Sequence, residues 1–127
     1  MIQKGSFLNV IDNSGGKVVC CIQVLNGYRK RYARIGDLIV VSVKSLRLQK
    51  RISVKLKKGD VCRAVVIRTK TNCKINNFEI LNFSENEVIL LNKQNKFIGT
   101  RILGTIPKIF RYSKFLKLFS LASNIIR

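Results

Sequence analysis

The sequence contains no histidine and no tryptophan, and it has one proline among 127 residues. Histidine is the commonest general base near neutral pH, so its absence removes the usual candidate for acid–base catalysis. The phosphate-loop pattern G-x-x-x-x-G-K-[ST] does not occur either, and Ser14-Gly15-Gly16-Lys17 is too short a match to count as one. We therefore expect no enzyme activity, no cofactor and no small-molecule substrate.

The four cysteines lack the spacing of metal and redox sites. Cys20, Cys21, Cys62 and Cys73 form no C-x-x-C pair, and there is no histidine to complete a zinc site. Cys20 and Cys21 are adjacent in a predicted strand, so their side chains should point to opposite faces. We interpret these thiols as small apolar residues in a reducing compartment, and we predict no metal site.

The sequence shows no secretory signal, transit peptide or membrane span. The first residues lack an apolar segment, and the apolar stretch Phe115–Ile126 is interrupted by Lys117 and three polar residues. It is shorter than the roughly 20 apolar residues that a membrane-spanning helix requires. We therefore expect no membrane insertion.

Acidic residues are scarce. There are 6 Asp and Glu against 25 Lys and Arg, which gives a net charge of +19, and no acid follows Glu87. Self-repulsion at this charge opposes the compact state unless a polyanion neutralises it. Hydrophobic residues make up 46% of the chain, which excludes a disordered basic tail. Nucleic acid is the first candidate for the polyanion, and an anionic membrane surface is the second.

Short β-type segments, separated by Gly, Asn and Asp, dominate most of the chain. Several of these segments, such as Leu38–Val41, are apolar on both faces, which suits a small closed barrel with something packed outside it. The predicted strands are Phe7–Ile11, Val18–Leu25, Asp37–Val43, Val61–Thr69, Phe78–Phe83 and Val88–Asn92. We predict a mainly β fold built on a five-stranded barrel.

The tail has a different pattern. Pro107 is suited to open a helix, and Phe115, Leu118, Phe119 and Ala122 share one face at helical spacing. No linker or repeat is visible, so we predict a single domain over 1–127. It would comprise a barrel in 1–104, a protruding basic ribbon or loop at about 44–58, and a short helical C-terminal part in 105–127.

Clustered cations are the candidate RNA-binding residues, because Arg binds phosphate oxygens as a fork and Lys supplies a point charge. They fall between two predicted strands, along the predicted ribbon, and at the end of the Val61–Thr69 strand. The residues are Arg29, Lys30, Arg31, Arg34, Lys44, Arg47, Lys50, Arg51, Lys55, Lys57, Lys58, Arg68 and Lys70. Clusters spread along the whole chain indicate contact with RNA on several sides.

Aromatic residues separate two modes of RNA binding. Single-strand binders stack bases on exposed rings, whereas here most of the Phe residues fall at apolar positions. Tyr28 and Tyr32, beside the first basic cluster, are the candidates for stacking. Recognition of folded RNA through phosphates and 2′-hydroxyls is therefore favoured.

Successive blocks of the sequence resemble the large-subunit ribosomal protein L-fourteen family, of bacterial and organellar type. The match runs in order from end to end. Its blocks include Met1-Ile2-Gln3, Asp12-Asn13-Ser14-Gly15, Arg31-Tyr32-Ala33, Gly36-Asp37-Leu38-Ile39-Val40-Val41, Lys57-Lys58-Gly59-Asp60-Val61, Ala64-Val65-Val66-Ile67-Arg68-Thr69, Gly99-Thr100-Arg101-Ile102-Leu103-Gly104 and Lys114-Phe115-Leu116-Lys117.

The resemblance implies a structural constituent of the large ribosomal subunit. It implies binding to large-subunit ribosomal RNA, contacts with neighbouring large-subunit proteins, and a bridge to small-subunit ribosomal RNA during translation. In this family, the surface that matches Thr100, Arg101, Lys114 and Lys117 also receives a ribosome-silencing factor. A free-standing RNA-binding barrel outside the ribosome is the alternative.

The chain also departs from the family pattern. Asn77-Phe78 stands where Asp-Gly is usual, Gly104-Thr105 stands where Gly-Pro is common, and the segment 45–55 looks longer and more basic than usual. The end of the chain is more similar to mitochondrial members, and its abundant Ile, Asn, Lys and Phe suit an AT-rich genome. We therefore predict a ribosome of the mitochondrial matrix, with a bacterial cytoplasm or a plastid as the alternatives.

Overall fold

The computed structural model of the chain describes residues 1–48, 56–76, 79–112 and 114–126. A short 3-10 helix (Lys108–Tyr112) and one α-helix, α1 (Lys117–Leu121), lie near the C-terminus. The strands, in chain order, are β1 (Phe7–Val10), β2 (Gly16–Val24), β3 (Leu38–Leu46), β4 (Val61–Arg68), β5 (Cys73–Asn76), β6 (Glu79–Leu81), β7 (Glu87–Leu91), β8 (Ile102–Pro107) and β9 (Ala122–Ile126).

Five of these strands form a closed barrel in the order β1-β2-β3-β4-β7. Neighbouring strands run antiparallel except at the closure, where β7 pairs in parallel with β1 through Asn9 opposite Glu87 and Val10 opposite Val88. The predicted mainly β fold with a five-stranded barrel is confirmed, since these five strands coincide with five of the six predicted ones to within a few residues.

Side chains that point inward and outward in alternation along the strands form the interior of the barrel. Leu8 and Val10 of β1, Val19 and Cys21 of β2, and the matching positions of the other strands are buried together. Cys20 lies between two inward positions and is half-buried on the outer surface. The predicted division of Cys20 and Cys21 between opposite faces is therefore confirmed.

Strands β4 and β7 are buried on both faces. Ala64 and Val66 point into the barrel, whereas Val65 and Ile67 belong to a second apolar cluster outside it. That cluster is completed by the C-terminal part of the chain, including Phe110 and Leu118, which are both fully buried. This arrangement explains why parts of the barrel sequence read as apolar on both faces.

The C-terminal part is helical only in its middle. Pro107 does not open a helix as predicted but ends β8, and the 3-10 helix begins at the next residue. Ala122 has extended backbone angles (φ −79°, ψ 140°) and begins β9, which pairs in parallel with β8. The predicted apolar face is nevertheless real, because Leu118 is buried and Phe115, Phe119 and Ala122 pack against the same cluster.

A small hairpin follows the barrel strand β4. Strands β5 and β6 pair with Cys73 opposite Leu81 and Lys74 opposite Ile80. A strand was predicted at β6 but not at β5, and Asn77-Phe78, which separates the two strands in the sequence, lies outside the described residues. No helix in the described part of the chain is long and apolar enough to cross a membrane.

Candidate nucleic-acid and partner interfaces

The same four-residue turn precedes two neighbouring barrel strands. Arg34–Asp37 leads into β3, and Lys57–Asp60 leads into β4. In each turn the N–H of the aspartate donates to the carbonyl of the first residue, at 3.1 Å and 3.2 Å. Gly36 and Gly59, at the third position, both have φ of 90°, which a type II turn requires. We refer to them as the twin turns.

The aspartate of each twin turn also holds the first residue through its side chain. Asp37 accepts the N–H of Arg34 at 2.7 Å, and Asp60 accepts the N–H of Lys57 at 2.8 Å. Both carboxylates therefore accept a backbone N–H within their own turn. The side chains of Arg34 and Lys57, and of Lys58 beside it, are left exposed.

The twin turns lie at opposite ends of the β3–β4 pair, because these strands are antiparallel with Leu38 opposite Val65 and Ser42 opposite Val61. Arg29 and Arg31 are exposed on the loop between β2 and β3, while Lys30 forms an ion pair with Asp37 at 2.7 Å. Exposed cations therefore occur at both ends of this part of the barrel. The arrangement suits a protein that contacts RNA on more than one side.

The predicted basic ribbon is described at its two ends. Lys44 is exposed on β3, and Arg47 is held beside the barrel because its Nη2 donates to the carbonyl of Val10 at 2.7 Å. At the other end Leu56 is buried in the barrel core. Lys50, Arg51 and Lys55 lie outside the described residues.

Arg68 is placed differently from the other predicted RNA-binding residues. Its guanidinium donates to the carbonyl of Thr105 at 2.7 Å and to that of Leu103 at 2.9 Å, and it also pairs with Glu87. Both charged side chains are mostly buried, with 13% and 15% exposed. This geometry favours a structural role for Arg68, which ties β8 to the barrel, whereas Lys70 is exposed.

The structure brings three of the four predicted partner residues to one groove. Thr100, Lys114 and Lys117 line a cavity of about 1030 Å³, and Arg101 is exposed next to Thr100. Its apolar lining includes Phe97, Phe115, Leu116 and Leu121, and the rings of Phe97 and Phe115 meet edge to face at 6.4 Å. We call it the Lys117 groove: an apolar surface with cationic side chains beside it.

Asn13 fixes one wall of the Lys117 groove, and the sequence analysis did not single it out. Its side-chain oxygen accepts the N–H groups of Thr100 and Arg101 at 2.7 Å and 3.2 Å, and its amide donates to the hydroxyl of Thr100 at 2.9 Å. Gly99 permits this approach, since a Cβ there would lie 2.8 Å from the Cβ of Asp12. The only signal in the sequence was a polar Asp-Asn-Ser-Gly turn that matches one of the family blocks.

Asp12, next to Asn13, is buried and fully engaged. Its carboxylate accepts the N–H of Leu90 at 3.0 Å, the N–H of Ser14 at 3.1 Å and the hydroxyl of Ser14. Burial raises the pKa of this carboxyl, while these hydrogen bonds oppose the rise. Asp12 therefore acts as an internal acceptor that joins the first turn to β7.

One protein-family model matches almost the whole length of the chain. The model of the family described as ribosomal protein L14p/L23e matches residues 1–126. The chain belongs to this family. A relative, the large ribosomal subunit protein uL14 of Carsonella ruddii (strain PV), is 46% identical over 126 residues, which is 99% of this chain and 100% of the relative.

Membership of the L14p/L23e family confirms the resemblance seen in the sequence blocks. This is a family of ribosomal structural proteins and not an enzyme family. Among the described residues, no group of three His, Cys, Asp or Glu is placed to hold a metal ion. The four cysteines are free thiols, and burial raises the pKa of Cys62 to about 11, so that this thiol is neutral at physiological pH.

Proposed function

We propose that this chain is a structural protein of the large ribosomal subunit and binds large-subunit ribosomal RNA through its exposed cations. One observation carries the proposal: every acidic side chain already accepts a hydrogen bond or forms an ion pair within the chain. Asp12, Asp37 and Asp60 bond backbone N–H groups, Glu79 and Glu87 pair with Lys108 and Arg68, and Glu85 accepts from Asn9. The net charge of +19 is therefore carried by cations that the chain's acids do not neutralise.

Binding would depend chiefly on phosphate contacts. The twin turns hold Arg34, Lys57 and Lys58 at fixed positions, so that less conformational entropy is lost when phosphates bind. Each phosphate neutralised releases condensed counterions, so each contact should steepen the dependence of log affinity on log salt by about one unit, and removing a contact should lower it by the same amount. The barrel then acts as a rigid spacer between RNA segments that would otherwise repel one another.

The basic ribbon at 44–58 belongs to this proposal as an RNA-contacting element. Lys44 and Lys57, at its described ends, are exposed, and the sequence between them adds several more cations without an acid. Removing residues 45–55 should weaken RNA binding far more than losing a single lysine. Unchanged assembly after that deletion would exclude the ribbon as an RNA contact.

The Lys117 groove is proposed as a protein-binding surface rather than a phosphate site. Its apolar floor suits an apolar side chain of a partner, and Lys114 and Lys117 suit acidic groups around it. The occupant that the family resemblance implies is a ribosome-silencing factor. Neighbouring large-subunit proteins and a bridge to small-subunit ribosomal RNA complete the proposed set of partners.

The compartment is also part of the proposal. Sequence composition favours a mitochondrial ribosome, whereas the relative in Carsonella ruddii comes from a bacterial endosymbiont and supports the bacterial alternative. Immunoblotting of washed organelles against whole-cell extract distinguishes the two. Enrichment with the organelle supports the mitochondrial placement, and its absence from organelles excludes that placement.

Sucrose-gradient fractionation of the source lysate tests the function itself. The chain would be quantified by mass spectrometry across gradients run at low and high magnesium. We expect it to follow the large subunit when low magnesium separates the subunits, and to follow whole ribosomes at high magnesium. Recovery in the light fractions at both concentrations would exclude a ribosomal role and would favour the free-standing RNA-binding barrel.

A further inference from the structure

The loop between β2 and β3 exposes an aromatic ring beside clustered cations. Tyr28 is 89% exposed, so its ring does not pack into the core, where aromatic rings usually lie. Exposed rings with a basic surround are the usual platforms for unpaired bases of RNA, because every base has a π-face.

The backbone of this loop is held in a conformation that few residues adopt. Asn26 has φ of 66° and Arg29 has φ of 51°, so both lie in the left-handed region. Asn tolerates this region, but it is uncommon for an arginine. In this conformation the guanidinium of Arg29 lies over the ring of Tyr28, 5.3 Å from its centroid.

Contacts at the base of the loop hold this conformation. The N–H of Leu25 donates to the carbonyl of Leu38 at 2.9 Å, and Lys30 pairs with Asp37 at 2.7 Å. Gly27 allows the chain to fold closely, since a Cβ there would lie 3.0 Å from the Cβ of Lys30. The ring and its guanidinium are therefore presented outward from an anchored loop.

We propose that Tyr28 and Arg29 form a binding site for one unpaired nucleotide of the bound RNA. The ring of Tyr28 stacks on the base, and the guanidinium of Arg29 binds a phosphate next to it. The site deepens the proposed RNA-binding function and rests on it. It adds a base contact to an interface otherwise made of phosphate contacts.

Photocrosslinking of the full-length chain to purified large-subunit ribosomal RNA tests the site directly. After trypsin digestion, Tyr28 lies in the peptide Val18–Arg29, whereas Tyr32 lies in the separate peptide Tyr32–Arg34. We expect a nucleotide adduct on Val18–Arg29 at Tyr28. Its absence in RNA-bound protein would overturn the proposal.

Affinity measured over a salt series on the same RNA separates stacking from charge. Tyr28→Phe keeps the ring and should bind as the wild type does, whereas Tyr28→Leu should bind roughly ten-fold more weakly with an unchanged salt slope. Arg29→Ala should lower the slope by about one unit. Phe7→Leu is the matched control, since Phe7 is 65% exposed on β1, outside this loop, and should have no effect.

These experiments distinguish failure of the stacking site from failure of the proposed RNA-binding function. Wild-type affinity for Tyr28→Leu, or an equal loss for Tyr28→Phe and Tyr28→Leu, would overturn the stacking site while leaving RNA binding in place. Wild-type protein that prefers large-subunit RNA no more than an unrelated RNA of equal length would overturn both proposals.

Discussion

Asn13 and Thr100 are joined by two hydrogen bonds across 87 positions of the sequence. The N–H of Thr100 donates to Oδ1 of Asn13 at 2.7 Å, and Nδ2 of Asn13 donates to the hydroxyl of Thr100 at 2.9 Å. One side chain in the first turn therefore determines where the wall of the Lys117 groove lies.

Replacing Asn13 should loosen that wall. Asn13→Ala removes the acceptor of two backbone N–H groups that lie at the surface, and we expect the free energy of unfolding to fall by about 0.5–1.5 kcal/mol. Hydrogen exchange at the amides of Thr100 and Arg101 should be faster than in the wild type, whereas exchange at the amides of β2 should be unchanged. Unchanged protection of both amides would show that the clamp does not order this segment.

A pair of glycines separates backbone strain from steric overlap. Gly59 and Gly104 have φ of 90° and 82°, but only at Gly104 does a Cβ meet another group, the guanidinium of Arg68. Gly59→Ala should lower the free energy of unfolding by about 1–2 kcal/mol, because alanine is strained at a positive φ. Gly104→Ala should lower the free energy of unfolding by about 1–3 kcal/mol more than Gly59→Ala does, because its Cβ also displaces Arg68. Equal urea midpoints for the two variants would contradict this reading.

Arg68 should behave as a structural residue. Lysine cannot bond Leu103, Thr105 and Glu87 in the same fixed geometry, so Arg68→Lys should lower the free energy of unfolding by about 2–4 kcal/mol. Lys70→Met is the contrast, because this exposed side chain should affect RNA binding and leave stability almost unchanged. Urea unfolding and RNA titrations of both variants check the division, and a stable Arg68→Lys with weakened RNA binding would reverse it.

Cys62 should make the fold sensitive to alkaline pH. Its pKa in the folded chain is raised from 9.0 to about 11, mainly by burial and secondarily by Asp12 and Asp60. Between these values the unfolded thiol loses its proton while the folded thiol keeps it, so stability falls as pH rises, by up to about 3 kcal/mol. Below pH 9 the effect is absent.

The measurement for Cys62 is urea unfolding of wild type and Cys62→Val at pH 8 and pH 10.5. Lysines and tyrosines also titrate in this range, so the informative quantity is the difference between the two proteins. The wild type should lose more stability than the variant. Parallel losses would mean that the thiol ionises equally in both states.

Lys117 should control docking at the groove that bears its name. Lys117→Glu reverses the charge beside an apolar floor, and we expect it to abolish binding of the ribosome-silencing factor from the same source. Lys93→Glu is the matched control, because Lys93 is exposed and does not line the groove. Binding unaffected by Lys117→Glu in a calorimetric titration would exclude this surface as the docking site.

The barrel was predictable from the sequence because its strands are short, rich in Val and Ile, and separated by turn residues. The twin turns were also visible, since Gly-Asp occurs before both β3 and β4. Strands β8 and β9 were not predicted. Residues 122–126 follow a helical apolar face, and only their pairing with β8, a contact distant in sequence, makes them extended.

Composition indicated which residues are candidates for the interfaces, but it did not indicate which groups their side chains contact within the fold. Sequence placed Arg68 among the RNA-binding cations, because nothing local reveals that Leu103, Thr105 and Glu87 surround it. The roles of Asn13 and Gly99 were missed for the same reason, since each depends on a segment far along the chain. The position of Tyr28 in a basic loop was visible, whereas the guanidinium over its ring was not.

The parallel pairing of β1 with β7 has a consequence for synthesis. Until Glu87–Leu91 has left the ribosome that makes it, β1 and β4 both present unpaired edges, which invite association with other chains. Contacts this distant in sequence also form slowly. Most of this chain must therefore be translated before its barrel can close, and a nascent chain stalled earlier would be an open, cationic sheet in need of a chaperone.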